Sequence, residues 1–382
     1  MIIRNAIIHD AIHEEPYQGD ILIEDGKLVS VGGKVTGDDA EVIDAEGLHA
    51  YPGFVDAHSH LGLDGYGGPT GMTHDYNEMN DILCPQLRGM DSYNPMDAAI
   101  PMALEAGVTT VAAGPGSANV LGGTFCAVKM YGRTLDEALI KESVAMKCAF
   151  GENPKRCYRD KSDSARMTTA AKLRQMLFEA RDYMLRKEAA GGDITKQPKF
   201  DMKMEALIPV LKREIPLKAH AHRADDIMTA IRIAKEFDVK VTIEHCTEGH
   251  LIAEQIAATG VPVAVGPTLT NASKLELLNK SWTTPGILAA AGVHVSIIAD
   301  APASPQQYLA FYAGQAVKAG MDPFAALQAI TINPAEHIGL EDRVGSLEPG
   351  KDADVVLTDG DPMVSDTRIK YVIVDGKVLV QK

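Results

Sequence analysis

Cysteine is scarce and follows no pattern. The five residues, Cys84, Cys126, Cys148, Cys157 and Cys246, are odd in number, scattered and never spaced CxxC. That argues against a disulfide framework or a thiolate zinc site and makes a reducing cytoplasm the default compartment. Basic residues are outnumbered, 37 Lys and Arg against 52 Asp and Glu, and the net charge of −15 argues against a general binder of nucleic acid or membrane surfaces. No apolar run approaches the ~18 residues needed to span a bilayer. The N-terminus lacks the basic region, apolar core and cleavage site of a secretory signal. What remains is an ordinary globular composition, 46% hydrophobic over 382 residues. It is enough for two or three average domains or one large barrel with an appendage.

The stretch that organises the chain is Phe54-Val-Asp-Ala-His-Ser-His-Leu-Gly62. An apolar, β-rich lead-in runs into it. Residues two apart on a strand point to the same face, so His58 and His60 can converge on one point at the strand's C-terminal end. Two neutral imidazoles suit zinc or a similar borderline metal. Alone, the pair fits surface or core histidines about as readily; the rest of the chain decides.

Residues 1–50 read as short strands, with Asp25-Gly26 as a hairpin turn, and residues 371–380 echo them with Asp375-Gly376. Two β-rich ends with matching hairpins predict a small sandwich assembled from both termini, 1–50 with 343–382. The segment between, 51–342, alternates apolar β runs with helical patterns, which argues for βα units and a parallel sheet. Strand candidates are 53–58, 109–113, 125–130, 144–150, 217–222, 241–245, 261–266 and 293–299. Helical patterns fall at 95–106, 135–142, 168–187, 224–237, 249–258 and 284–291, with two more at 306–320 and 323–331. The fold class is α/β: a (β/α)8 TIM-like barrel, whose active site lies at the C-terminal strand ends. The long polar stretch 61–94 would be a lid or binding loop after the first strand. The Gly-rich stretch 114–123 lacks the Gly-Lys-Ser/Thr ending of a phosphate-binding loop; it and 266–271 are expected to line the pocket.

Metal-ligating residue types recur at the ends of these runs: His58 and His60 on the first, His220 and His222 on the fifth, His245 on the sixth and Asp300 on the eighth, with Lys147 inside the fourth. One histidine at a strand end is usually packing or hydrogen bonding. Several from separate strands, closed by an aspartate, are hard to explain that way.

These residues carry a family resemblance. Pro52-Gly-Phe-Val-Asp-Ala-His-Ser-His60, Ile243-Glu-His245, Ala299-Asp300, Ala326-Leu-Gln-Ala-Ile-Thr-Ile-Asn-Pro-Ala335 and Gly345-Ser-Leu-Glu-Pro-Gly-Lys-Asp-Ala-Asp354 together resemble the amidohydrolase superfamily. The resemblance is to its imidazolonepropionase-like and metal-dependent dipeptidase branch, and it covers nearly the whole chain. It implies a distorted barrel, one or two divalent metals with zinc foremost, and hydrolysis at carbon–nitrogen or related bonds. Carried over, His58, His60 and Asp300 would hold a buried metal, and His220 and His245 a more exposed one. His222 would then face the substrate or support a ligand, unless it is itself the ligand.

Lys147, in Lys-Cys-Ala-Phe, resembles the carboxylated lysine that bridges two metals in isoaspartyl dipeptidase-like members; Glu152 is the alternative ligand, and one metal or two stays open. In mononuclear deaminases a glutamate stands two residues after the strand-five histidine. Here that place holds His222, which counts against deamination. The expected reaction is amide or cyclic-amide hydrolysis by metal-activated water with Asp300 as general base and acid, His222 or Tyr131 assisting at the oxyanion. The alternative is a mononuclear imidazolonepropionase-like cyclic amidase or a deaminase. A further expectation is a carboxylate on the substrate. Lys155, Arg156, Arg159, Lys161 and Arg166 cluster after the strand bearing Lys147, and Arg223 follows the strand-five histidines. A guanidinium grips a carboxylate with two parallel hydrogen bonds. The partner is thus a small molecule rather than nucleic acid or membrane, and a homo-oligomer stays open.

Overall fold

The computed structural model describes residues 1–36, 41–66, 75–159 and 164–382. It contains two eight-stranded sheets. The first draws on both ends of the chain, in the order Lys377–Gln381, Ile369–Val374, Val355–Thr358, His49–Pro52, Ile2–Ile8, Tyr17–Glu24, Lys27–Val31, with Val42–Asp44 beside Ile2–Ile8. Its halves join where Val355–Thr358 pairs antiparallel with His49–Pro52. Both hairpins turn where the sequence places them. Asp25 and Gly26, like Asp375 and Gly376, all have positive φ, the backbone a two-residue turn needs to match strand twist. Ile3, Ile21, Leu28, Val355 and Ile373, drawn from both ends of the chain, share one apolar cluster.

The second sheet is the barrel: Phe54–Ser59, Val108–Ala113, Leu121–Lys129, Leu139–Ala149, Leu217–Ala221, Val241–His245, Val263–Val265 and Val295–Ile297, paired in chain order. Each expected run contains or overlaps one of these strands. The seam between the first and eighth strands is bridged by the segment after them: Val55 N–H donates to Ile330 O at 2.9 Å and Ile297 N–H to Ala329 O at 2.8 Å. That gives the Ala326–Ala335 block its structural job.

Eight uniform βα units are not what forms. The third strand runs antiparallel to both neighbours, so it ends at the opposite mouth of the barrel. Of the helical pattern at 135–142 only Leu135–Ala138 is helix; the chain turns into strand at Leu139. The helix Ala224–Phe237 forms as expected, burying Ile227, Ala230, Ile231, Ile233, Ala234 and Phe237 at helical spacing. The sequence reading missed Met202–Leu211, capped by the Asp201 side chain, because Pro209 lies inside it.

Barrel interiors are usually filled with bulky branched apolar side chains. Here Asp56, His58, Lys147, Lys218 and Glu244 are all buried, with Phe125 among them.

The two sheets are tied by Lys129, at the end of the third strand. Its buried ammonium lies 2.7 Å from Asp354, 3.1 Å from Asp352 and 3.2 Å from Asp375. Removing one partner of a buried pair strands the others, so Lys129→Met should destabilise the protein by about 3–5 kcal/mol, measured by denaturant unfolding. The pH window follows from both signs. Burial would raise Asp352 but is outweighed by Lys129, Lys27 and Arg343, which hold it low. Its contribution is therefore present above the unfolded value near pH ~3.9 and is lost as pH falls through the folded value. Burial would lower Lys129 but is outweighed by Asp354, Asp375 and Asp352. Its contribution is full below about pH 10.4 and is lost only as pH rises through its raised value.

Candidate metal centre and active-site cavity

Two groups of ligand-type side chains meet at the C-terminal ends of the parallel strands. One is His58, His60 and Asp300; the other is His220, His222 and His245. In the first, Asp300 Oδ1 lies 3.3 Å from His60 Nε2 and 3.5 Å from His58 Nε2. In the second, ring centroids are 4.3 Å apart for His220–His245, 4.6 Å for His220–His222 and 4.8 Å for His222–His245. His245, Cys246 and Asp300 take positive φ values of 72°, 46° and 55°. Such backbone is uncommon outside glycine and clusters at functional sites.

All five histidines are anchored through the same ring nitrogen. His58 Nδ1 meets Glu244 Oε2 at 2.8 Å, while His60 Nδ1 and His245 Nδ1 meet the carbonyls of Gly114 and Gly266, each at 2.7 Å. His220 Nδ1 lies 2.8 Å from Ser117 Oγ and His222 Nδ1 2.7 Å from Thr247 Oγ1. A carboxylate or carbonyl accepts the Nδ1 proton, which leaves Nε2 of those rings as a lone pair. The Nε2 atoms of His220 and His245 are buried without a hydrogen-bond partner. Lone pairs of His58 and His60 face a carboxylate oxygen, an arrangement that is repulsive unless a cation lies among them. The donor set therefore fits divalent metals that accept imidazole nitrogen and carboxylate oxygen.

Electrostatics agree with neutral ligands. Burial and then the Lys147 charge hold His58 far below its ordinary value, burial and then the other two histidines hold His220 there, and burial takes His245 to about 4. Burial would raise Asp300 but is outweighed by His245, His60 and His58, which keep it ionised. Lys147 is wholly buried, and its Nζ is 3.1 Å from His58 Nε2. Burial pushes it down to about 8. Its charge lowers His58 next after burial, and it is a lesser cause for His245, His220 and His222.

A cavity of about 540 Å3 opens over both groups. The Gly-rich loop contributes Gly116, Ser117 and Ala118, and the loop after the seventh strand contributes Pro267, Thr270 and Asn271. Among the described residues, Arg156 and Lys274 are the lysine and arginine side chains in its wall. A larger cavity, about 650 Å3, is lined by Lys141, Pro216, Lys240 and Val241, at the N-terminal strand ends, and holds neither histidine group.

Glu152 begins the helix Glu152–Cys157 and is in neither ligand group. Gly151 makes that turn at φ 79°, where a Cβ would run into Glu276 Oε2. Arg223 turns its guanidinium to Asp225, at 2.9 and 3.0 Å, and is not in the cavity wall. Arg166 pairs with Asp226 at 2.9 Å. Lys161 lies outside the described residues, as does the part of the 61–94 loop at 67–74. Tyr131 is not at this site. It follows the antiparallel third strand to the far mouth, where its hydroxyl donates to Asp375 Oδ2 at 2.8 Å.

The sequence reading missed Lys274, whose Nζ is 2.6 Å from Glu276 Oε1 and 2.8 Å from Asn153 Oδ1. It also missed Glu244, although the signal was there: an acid directly before His245, inside an otherwise apolar strand.

A barrel with two groups of metal-ligand-type side chains at its C-terminal mouth, carrying a second sheet, defines the class. The amidohydrolase family model matches residues 50–379, and the chain belongs to that family of enzymes. An amidohydrolase from Thermotoga maritima MSB8 is 40% identical, with TM-score 0.96 over 100% of both chains. Amidohydrolase tasK of Hapsidospora irregularis is 28% identical over 94% of this chain, which spans only 39% of that protein's length. A dihydroorotase from Elusimicrobium minutum (strain Pei191) is 26% identical over 94% of this chain and 88% of its own. No helix among the described residues is long and apolar enough to cross a membrane.

Proposed function

We propose that this protein hydrolyses the carbon–nitrogen bond of an amide or cyclic amide in a small, carboxylate-bearing molecule, such as a dipeptide or N-acyl amino acid. The observation that carries this reading is one cavity with two ligand groups at its floor and two cations, Arg156 and Lys274, in its wall. His58, His60 and Asp300 would hold one divalent metal, zinc foremost, and His220 and His245 a second, with Lys147 as a carboxylated bridge. His222 either joins the second group or faces the substrate. Bound cations supply Lewis acidity, polarising a carbonyl and easing deprotonation of water.

The chain's own residues do the rest. Asp300, whose side chain is 15% exposed and borders the cavity, takes a proton from the attacking water and passes it to the leaving nitrogen. Arg156 and Lys274 hold the substrate carboxylate, which fixes the scissile carbonyl over the floor. Residues 51–342 carry this chemistry, and 1–50 with 343–382 form the composite domain. Five free cysteines support a cytoplasmic setting.

A matched series of N-acyl amino acids and dipeptides with free and amidated C-termini tests the substrate class. Amidation should cost about 10–100-fold in kcat/KM, the worth of a charge-assisted hydrogen bond. Arg156→Met or Lys274→Met should reproduce that loss on the free acid only. Equal kcat/KM for both forms ends the carboxylate proposal. Release of ammonia from an aminopurine, with no amide hydrolysed, would favour the deaminase alternative.

A further inference from the structure

The Glu244 carboxylate is wholly buried inside the barrel and is reached by four donors. Oε2 accepts from His58 Nδ1 at 2.8 Å and forms an ion pair with Lys218 Nζ at 2.9 Å; Oε1 accepts from Thr242 Oγ1 at 2.7 Å and His337 Nε2 at 2.9 Å. Thr242 and Lys218 lie on barrel strands. His337 does not: it ends the helix Ile332–His337 beyond the last strand, 93 residues from Glu244, with its side chain wholly buried. A second contact fixes His58 in the same sense, because Lys147 Nζ donates to its Nε2 at 3.1 Å. Both contacts prescribe a proton on Nδ1 and a lone pair on Nε2, towards Asp300 and His60.

We propose that His337, acting through Glu244, is a positioning residue for the metal centre: it orients the carboxylate that sets the ring and tautomer of His58. This rests on the reading that His58, His60 and Asp300 hold a cation. Partners behind a metal-binding histidine typically matter 10–100-fold for metal affinity. The hydrogen-bond count shows why the acid is needed. A carboxylate accepts at both oxygens, whereas an amide must turn its NH2 towards one pair of donors. Glu244→Gln therefore either turns its NH2 towards His58 and the donor-only Lys218, or turns it towards Thr242 and His337, which must then reverse from donating to accepting.

The test uses the metal-free protein and three variants: Glu244→Gln, His337→Leu and His337→Gln, the last placing an amide N–H near the position of Nε2. Nitrogen-15 NMR of the histidine rings reads the tautomer, and Zn2+ titration against a chromophoric chelator reads each site. Wild-type His58 should carry its proton on Nδ1. In His337→Leu and Glu244→Gln that preference should weaken, and one zinc equivalent should bind about 10–100-fold more loosely while the other is unchanged. His337→Gln should restore both readouts.

A wild-type His58 protonated on Nε2 overturns the proposal. So does His337→Leu with unchanged tautomer and affinity, and so does equal loosening of both sites alongside a lowered Tm that His337→Gln does not rescue. Should His337→Leu fail to fold, the wild-type spectrum and His337→Gln decide: Gln must keep the tautomer and both affinities. If the wild type binds no Zn2+, the reading of the site fails, while the tautomer measurement still decides the positioning.

Discussion

Asp300→Asn is expected to fold normally and to lose about 10²–10⁴-fold in turnover, the usual share of a general acid–base group. The side chain sits where the eighth strand leaves the barrel, with Oδ1 3.3 Å from His60 Nε2 and 3.5 Å from His58 Nε2. Its neighbours keep it ionised in the neutral range, so it is ready to accept a proton. Asparagine has nearly the same shape but cannot carry a proton from water to a leaving nitrogen. Because the lost step lies in the transition state, kcat and kcat/KM should fall together and KM should change little. Metal analysis and thermal unfolding on the same preparation separate a lost proton carrier from a lost ligand. Near-normal turnover, or a loss fully explained by missing metal, would remove Asp300 from this role.

Much of this site was legible because its residues obey strand geometry. His58 and His60, and His220 and His222, stand two apart at the ends of apolar runs, which marks both a strand and the end that carries function. The helix Ala224–Phe237 was legible for the same reason, since its apolar period is regular and long. Strand direction was not legible. Periodicity reads the same in either sense, so nothing local showed that Leu121–Lys129 runs antiparallel to its neighbours. That one reversal put Tyr131 at the wrong mouth of the barrel. Arg223 failed for a different reason: its guanidinium turns to Asp225, outside the cavity wall. Glu244 stood out as an acid inside an apolar strand, but its role was hidden by distance, since its partners His58 and His337 are 186 and 93 residues away. Lys274 sits in the loop after the seventh strand, whose course the sequence pattern does not set. Residues were found where chemistry and secondary-structure period coincide, and lost where tertiary contact alone assigns the role.

Lys147→Ala is expected to lower bound metal from about two equivalents per chain towards one and to cut turnover by at least ~10²-fold. The lysine is wholly buried, and among the described residues no carboxylate oxygen lies within ion-pair distance of its Nζ; the hydrogen bond it does make is to an imidazole, His58 Nε2, at 3.1 Å. An ammonium there would repel any cation that His58 or His245 could bind. A carbamate removes the conflict. The neutral amine adds to the carbon of CO2, a nitrogen–carbon bond forms as one C=O π bond opens, an N–H proton passes to water, and the side chain ends in a carbamate whose single negative charge is shared by two oxygens. Burial favours the neutral amine by drawing Lys147 down to about 8. Glu152, the alternative ligand, is in neither histidine group. Reconstitution of metal-free wild type should therefore depend on bicarbonate. In Lys147→Ala the vacated space should let formate or acetate restore part of the activity. Lys147→Ala with an unchanged metal count and unchanged turnover, or reconstitution indifferent to bicarbonate, would rule out the bridge.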